Sequence, residues 1–145
     1  MKKIGILICT LVIVIVAVIG VNIYSYNERL KAAEKNNKNY QSYYNVEVLG
    51  SDVGSLINKI LDTNSKNNIQ KDENGKYIDN GKEIAISVTI KFLELDKNIS
   101  IEAIEKQGVD RFIKNFGAET FKCTEIQYYP NAEGVKSMHF EQVKK

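Results

Sequence analysis

The feature that most constrains this chain is an uncharged apolar run near its start. The run covers residues 4–21, eighteen residues without a charge, and Thr10 is its one clearly polar side chain. As an α-helix this length extends roughly 27 Å, and continuing through Tyr24 gives about 30 Å, the hydrocarbon thickness of a bilayer. Tyr24 and Tyr26 would then lie at the level of an aromatic belt. The run therefore predicts a transmembrane helix over residues 4–24.

A cleaved secretory signal is the main alternative for this run. Such a signal has an apolar region of about 7–15 residues that ends at a small-residue cleavage site. The run is longer, and Val18-Ile19-Gly20 is a poor cleavage site. A lipoprotein signal does not fit either, because Ile8 precedes Cys9 where a small residue is needed. We therefore expect an uncleaved anchor.

The charges on either side of the run predict its orientation. Lys2 and Lys3 are the only charges before it, and basic residues beside a span favour the cytoplasmic side, although the far flank is also basic. We expect residues 1–3 to form a cytoplasmic tail, residues 25–39 a helical stalk or linker that frays at its asparagines, and residues 40–145 an extracytoplasmic domain at the cell membrane.

Charge and cysteine content exclude two classes of protein. The formal net charge is +2, and Lys2 with Lys3 account for all of it, so the rest of the chain sums to zero. A nucleic-acid binder needs a concentrated basic face, so no nucleic-acid partner is expected. Cys9 in the apolar run and Cys123 in the domain cannot pair within one chain, so no disulfide framework is expected either.

The domain shows both helical and strand periodicity. After a turn and N-cap at Gly50-Ser51-Asp52, one helix face is apolar at Val53, Leu56, Ile57, Ile60 and Leu61. Residues 84–92 alternate between apolar and mostly polar side chains, as in an antiparallel strand covered on one side. A short strand is expected at residues 45–49, and a small hairpin pairs Ile69-Gln70 with Tyr77-Ile78.

The second half of the domain predicts two short helices and a hairpin. Ser100 can cap the first helix, Gly108 separates the two, and Gly117 ends the second. Strands at 120–129 and 135–143 flank a five-residue loop, with a bulge near Thr124 where the apolar phase changes, or a strand that is apolar on both faces. The predicted fold class is α+β: a transmembrane helix, then a small domain with an antiparallel sheet of three to five strands and helices on one face.

His139 and Cys123 are the first candidates for catalysis. His139 shares a strand face with Ser137 and Glu141, but side chains two residues apart on a strand are about 7 Å apart, which is no hydrogen-bonded relay. Cys123 lies beside Phe121 and reads as a buried core thiol, because a nucleophile needs a base and an electropositive setting. Neither is expected to be catalytic, and the chain is not expected to be an enzyme.

Residues 72–79 have a superficial likeness to a calcium loop. With Gly75 in the invariant glycine position, Gln70 and Gly81 occupy the first and last ligand positions, and the bidentate glutamate is missing. An acidic hairpin turn is the expected structure. Asn98-Ile99-Ser100 is a formal glycosylation sequon, but Ser100 fits better as a helix cap. We expect no metal site, no cofactor and no catalytic residue.

Two resemblances accompany these patterns. The stretches 121–126, 139–142 and 50–64 resemble small membrane-anchored proteins of low-GC Gram-positive bacteria, a group that implies no known activity. The layout of a basic leader ending in Gly5, a long apolar helix and a small α+β head is similar to type IV pilin-like proteins. Thr10 stands where that family has a glutamate, and Ile6 where it has an aromatic residue.

These observations predict a non-enzymatic, single-pass membrane protein. Its exported domain is expected to bind a protein partner or to assemble at the cell envelope, with the membrane contacted through residues 4–24. A pilin-like subunit processed after Gly5 is the second hypothesis, and a small ligand-binding domain is the third.

Overall fold

The computed structural model describes residues 2–78, 85–93, 96–130 and 134–144, apart from the side chains at positions 2–8, 26, 29, 30 and 32–34. The described elements, in chain order, are α1 (Lys2–Gln41), β1 (Glu47–Leu49), α2 (Gly50–Lys66), β2 (Ser87–Phe92), β3 (Lys97–Ser100), α3 (Ile101–Gln107), α4 (Val109–Phe116), β4 (Thr120–Tyr128) and β5 (Val135–Gln142). The domain is α+β, as predicted.

The sheet is mixed, so the prediction of an antiparallel sheet is wrong. Its strand order is β1-β4-β5-β2-β3, and β2 pairs with β5 in parallel while the other neighbours are antiparallel. The reason is the connection between β1 and β2, because a helical crossover such as α2 returns the chain in its original direction. The β4–β5 hairpin lies between β1 and β2, and two antiparallel pairings from β1 leave β5 pointing the same way as β2.

One face of the sheet carries the apolar core. Along β2, Val88, Ile90 and Phe92 are at most 1% exposed, whereas their neighbours Ser87 and Thr89 keep part of their surface in solvent. The predicted alternation is therefore confirmed within the described residues, and Ile84 lies outside them. We call the apolar side, against which the helices pack, the covered face, and the opposite side the open face.

Helix α2 closes the covered face through its predicted apolar side chains. Val53, Leu56, Ile57 and Ile60 are buried. The helix begins at Gly50 after Leu49, which makes no side-chain cap, so the predicted turn and N-cap at Gly50-Ser51-Asp52 is wrong.

Two glycines let α2 approach α4. A Cβ at Gly50 would overlap the carbonyl oxygen of Phe116, and one at Gly54 would overlap the side chain of Ile113. Because both glycines lie on the α2 surface that meets α4, larger residues at these positions would push the two helices apart.

The β4–β5 hairpin contains the predicted irregularity. The register shifts between Cys123 and Glu125, which leaves Thr124 as an extra residue in β4. Because a bulge adds one residue to the strand, residues three apart across it point to the same face of the sheet. Ile126 therefore lies opposite Met138 on the covered face, and the prediction of a bulge near Thr124 is confirmed.

Helix α1 runs without a break through its asparagine-rich segment to Gln41. The predicted fraying in this segment is therefore wrong. Tyr40, in the last turn, is 1% exposed and belongs to the core, with the Lys59 ammonium 5.6 Å from its ring centroid. Burial of the Tyr40 side chain in the core of the domain stabilises this last turn of the helix, which the helix propensity of asparagine alone does not favour.

The described part of the chain contains no helix that is both long and apolar enough to cross a membrane. The transmembrane helix predicted over residues 4–24 is thus not found there. The side chains of residues 4–8, the first five of that prediction, lie outside the described ones.

The two faces of β2 should respond oppositely to a charge. Val88→Asp buries an unpaired carboxylate in the core and should cost several kcal/mol, most of the roughly 5–15 kcal/mol that stabilises a small domain. Thr89→Asp places the same carboxylate on the open face and should cost less than about 1 kcal/mol. Urea unfolding followed by circular dichroism measures both, and equal costs would contradict the assignment of the two faces.

Candidate functional surface: the open face of the sheet

All five strands contribute polar side chains to the open face. These side chains all keep at least part of their surface in solvent, and they include Glu47 from β1, Lys122, Glu125 and Gln127 from β4, Ser137, His139 and Glu141 from β5, Ser87, Thr89 and Lys91 from β2, and Asn98 from β3. A helix-covered sheet face buries its alternate residues, so this pattern identifies a face that the described helices leave uncovered.

Four charged residues form one row across the open face. The pairing register places Glu47 beside Lys122, Lys122 beside Glu141, and Glu141 beside Lys91, so the signs alternate from β1 to β2. We call these four residues the charge row. The Lys91 ammonium is 3.8 Å from Glu141 Oε1, with more than a third of each side chain exposed. An ion pair this exposed adds little to the stability of the fold.

The structure brings Ser137, His139 and Glu141 onto this face, as predicted, but does not form a catalytic relay. His139 Nε2 lies 3.8 Å from Glu141 Oε1, which is beyond hydrogen-bond distance. The Ser137 hydroxyl donates to Oε1 of Gln127 at 3.2 Å. Nucleophile and base are therefore not joined, and no acyl-transfer chemistry follows from this set.

Cys123 lies on the covered face and is fully buried. Burial raises the pKa of its thiol to about 11. Because the thiolate is the nucleophilic form, this thiol is inert at neutral pH. The prediction of a buried core thiol is confirmed.

The segment with a likeness to a calcium loop is a turn held by its own carboxylate. Asp72 Oδ1 accepts the backbone N–H groups of Asn74 and Lys76, both at 2.9 Å, and Gly75 has φ +79°. An aspartate that satisfies its own turn in this way forms an Asx-turn. Among the described residues, no group of histidine, cysteine, aspartate and glutamate could hold a metal ion. Asp79, at the end of the segment, lies outside them.

A salt bridge that the sequence analysis missed attaches this turn to α3. The Lys71 ammonium donates to both carboxylate oxygens of Glu105, at 2.7 and 2.6 Å, and lies 4.6 Å from the ring centroid of Tyr77. The hydrogen bond to Glu105 raises the pKa of Lys71. Lys71 and Tyr77 also form an isolated antiparallel β-bridge, next to the predicted pairing of Ile69-Gln70 with Tyr77-Ile78. The salt bridge joins the turn to α3 through two residues that are thirty-four positions apart in the chain, and no local sequence pattern predicts a contact over that separation.

Asn64 is the second missed residue. It is fully buried, its amide donates to the carbonyl of Ile86 at 2.8 Å, and its Oδ1 accepts the Ile86 N–H at 2.9 Å. Nearby, the Tyr129 hydroxyl donates to the carbonyl of Ala85 at 2.6 Å. These bonds fix the entry to β2. The sequence position of Asn64 could have predicted this role. Asn64 follows Ile60 by four residues on the apolar stripe of α2, where a buried amide without hydrogen-bond partners would be costly.

No protein-family model matches the chain, and neither a curated protein nor a solved structure matches it. The two resemblances drawn from the sequence stay predictions.

The buried thiol predicts an alkaline loss of stability. Between pH 9 and 11 the thiol is protonated in the folded chain and ionised in the unfolded chain, so the free energy of unfolding falls as pH rises through this window. The loss should reach at most roughly 3 kcal/mol.

Cys123→Ala is the matched control for this loss. It removes the thiol's share of the pH dependence but keeps the contribution of groups such as Tyr40, whose pKa burial also raises. Parallel pH profiles for the two chains, measured by urea unfolding, would contradict the burial of the thiol.

Proposed function

We propose that this chain is a single-pass membrane-anchored protein whose head, residues 40–145, is a non-enzymatic protein-interaction module outside the cytoplasm. The observation that carries the proposal is the surface of α1. Each of residues 9–25 is exposed, and none of them is charged. Leu11, Ile13 and Val21 lie on different sides of the helix and expose 62%, 67% and 67% of their surface. A helix that is apolar all round needs an apolar environment, which lipid supplies.

The length of the proposed anchor combines structure and sequence. The apolar part of α1 with described side chains runs from Cys9 to Ile23, about 22 Å of helix, which is less than a bilayer core. Residues 4–8 are all uncharged, and adding them gives the roughly 30 Å that a span requires. Lys2 and Lys3 support a cytoplasmic N-terminus by the positive-inside rule.

Two properties of the head support a role in protein interaction: the arrangement of its candidate catalytic side chains and its charged open face. Its candidate catalytic side chains are unconnected or buried, as Ser137, His139 and Cys123 illustrate. Its open face presents charges of both signs on a sheet that the described helices leave uncovered. Complementary charges of this kind determine which partner binds and in what register. We therefore take the open face as the interaction surface.

A pilin-like subunit is the second candidate function, and one observation favours it. Helix α1 continues into the head and places Tyr40 in the core, so an apolar helix and a small α+β head form one continuous unit. The N-terminus of the protein in cells separates the two functions. Intact Met1, found by mass spectrometry, supports the anchor, whereas Ile6 at the N-terminus supports processing after Gly5.

Charges placed in the apolar run should release the protein from membranes. Val12→Lys combined with Val16→Lys puts two ammonium groups near the centre of the proposed span, each costing about 2.5–3.5 kcal/mol there. The wild-type chain should stay in the membrane pellet after alkaline carbonate extraction, and the double variant should move to the supernatant. The control is Asn27→Lys, because Asn27 lies beyond Tyr24 and outside the span, whereas Asn22 lies within it. Extraction of the wild-type chain by carbonate would contradict the anchor.

The orientation has its own test. Protease added to intact cells stripped of their wall should digest the head beyond Tyr40, because the proposal places it outside. Complete protection of the head, with digestion after the cells are lysed, would contradict the orientation.

A further inference from the structure

The charge row has a symmetry that suggests its partner. From β1 to β2 its signs run minus, plus, minus, plus, at Glu47, Lys122, Glu141 and Lys91. Read in the opposite direction the signs are inverted. A second, identical row laid over the first in reverse order therefore places every carboxylate over an ammonium group.

We propose that the open face binds the open face of a second copy of this chain, with Lys122 of each copy against Glu141 of the other. The inference names the partner of the interaction surface and so rests on the proposed function. The required symmetry is a twofold axis parallel to the strands, between β4 and β5. Such an axis reverses the order of the strands but keeps each position along them, so the charge row of one copy faces the charge row of the other. This is an isologous interface, the commonest kind in protein dimers.

The rows on either side of the charge row obey the same symmetry. On one side, Glu125 lies opposite His139 in the β4–β5 pairing, so each copy sets its Glu125 against the other copy's His139. On the other side, Leu49 on β1 is half exposed, and the axis points it toward the end of β2, where the following residue, Leu93, is partly exposed. An acidic group thus meets an imidazole, and an apolar side chain points toward another.

Two charges of the row have no ion-pair partner within the described residues, while Glu141 already lies 3.8 Å from both Lys91 and His139. In the described part of the chain, Lys122 and Glu47 form no ion pair with each other or with another neighbour, although the register places them side by side. Two sheets can pack face to face with their strands nearly aligned, about 10 Å apart, which leaves room for side chains from both faces.

The contacts are exposed ion pairs, so the dimer is expected to be weak and sensitive to salt. Self-association of the wild-type chain should weaken when the salt concentration rises from low to physiological and beyond. Attachment of two copies to one surface raises their effective concentration, which makes a weak contact sufficient.

The test is a charge-reversal mixing experiment on the full chain in detergent micelles, followed by sedimentation velocity. In K122E alone, and in E141K alone, like charges face each other at two symmetric contacts, and each variant should associate at least roughly tenfold more weakly than the wild-type chain. In an equimolar mixture the reversed charge of one copy faces the reversed charge of the other. The mixture should therefore form heterodimers as strong as the wild-type dimer. K114E, an exposed change of the same kind on α4, should leave association unchanged.

Mixing separates a role in binding from a role in folding. A variant that merely unfolds is not rescued by another variant, and thermal melts of each variant check the fold directly. A wild-type chain that stays monomeric at low salt would overturn the inference. A dimer that K122E and E141K leave intact, or that their mixture fails to restore, would also overturn it.

The dimerisation experiment and the carbonate extraction test the second copy and the anchor separately. Retention in the membrane after carbonate extraction, together with a monomer in detergent, removes the second copy as partner and keeps the anchor. A dimer in detergent together with release by carbonate keeps the second copy as partner and removes the anchor.

Discussion

The head depends on the crossover from β1 through α2 to β2, and Asn64 fixes where that crossover ends. Its side-chain amide occupies both the N–H and the carbonyl of Ile86, so the chain enters the sheet at one position only. A buried amide without these partners would cost free energy, which makes the arrangement specific as well as stable. Because the crossover returns β2 parallel to β1, it leaves a space between them that the β4–β5 hairpin fills.

This topology divides the head into two unlike faces. The helices pack on one side, where α2 and α4 come close enough that Gly50 and Gly54 have no room for a Cβ. Tyr40 brings the end of α1 into the same core. The other side keeps its charges in solvent. The hairpin lies at the centre of the sheet, so its outward residues, Lys122 and Glu141, form the centre of the open face.

Local sequence patterns correctly predicted the features that depend on contacts between nearby residues. The alternation along β2, the apolar face of α2 and the bulge at Thr124 follow from the order of apolar and polar residues, and the structure confirms them. The Ser100 cap of α3 is confirmed too, because its hydroxyl oxygen accepts the N–H of Ala103. Such contacts span a few residues, so the sequence alone contains the information that forms them.

Apart from the N-cap at Gly50-Ser51-Asp52, which is a local pattern, the wrong predictions for the sheet concern contacts between distant segments. Alternation along β2 reflects coverage on one side and carries no information on strand direction, so the parallel pairing with β5 was missed. Strand β3 was missed because Ile99 is its only apolar residue. The open face was predicted only in part, for the same reason. Ser137, His139 and Glu141 were correctly placed on one strand face, but the charge row joins residues of four strands whose register depends on tertiary structure.

The pairing of β2 with β5 is the element that distinguishes this fold from an antiparallel alternative, and nuclear magnetic resonance tests it most directly. In an antiparallel pair the Hα protons of opposite, non-hydrogen-bonded residues lie close together, whereas in a parallel pair the evenly spaced bonds keep them apart. In the full chain in micelles, Val88 with Met138 and Ile90 with Phe140 should show contacts between amide and Hα protons but no strong Hα–Hα contact. Strong Hα–Hα contacts between β2 and β5 would show an antiparallel pair. They would contradict the crossover, the central hairpin and the open face built on them.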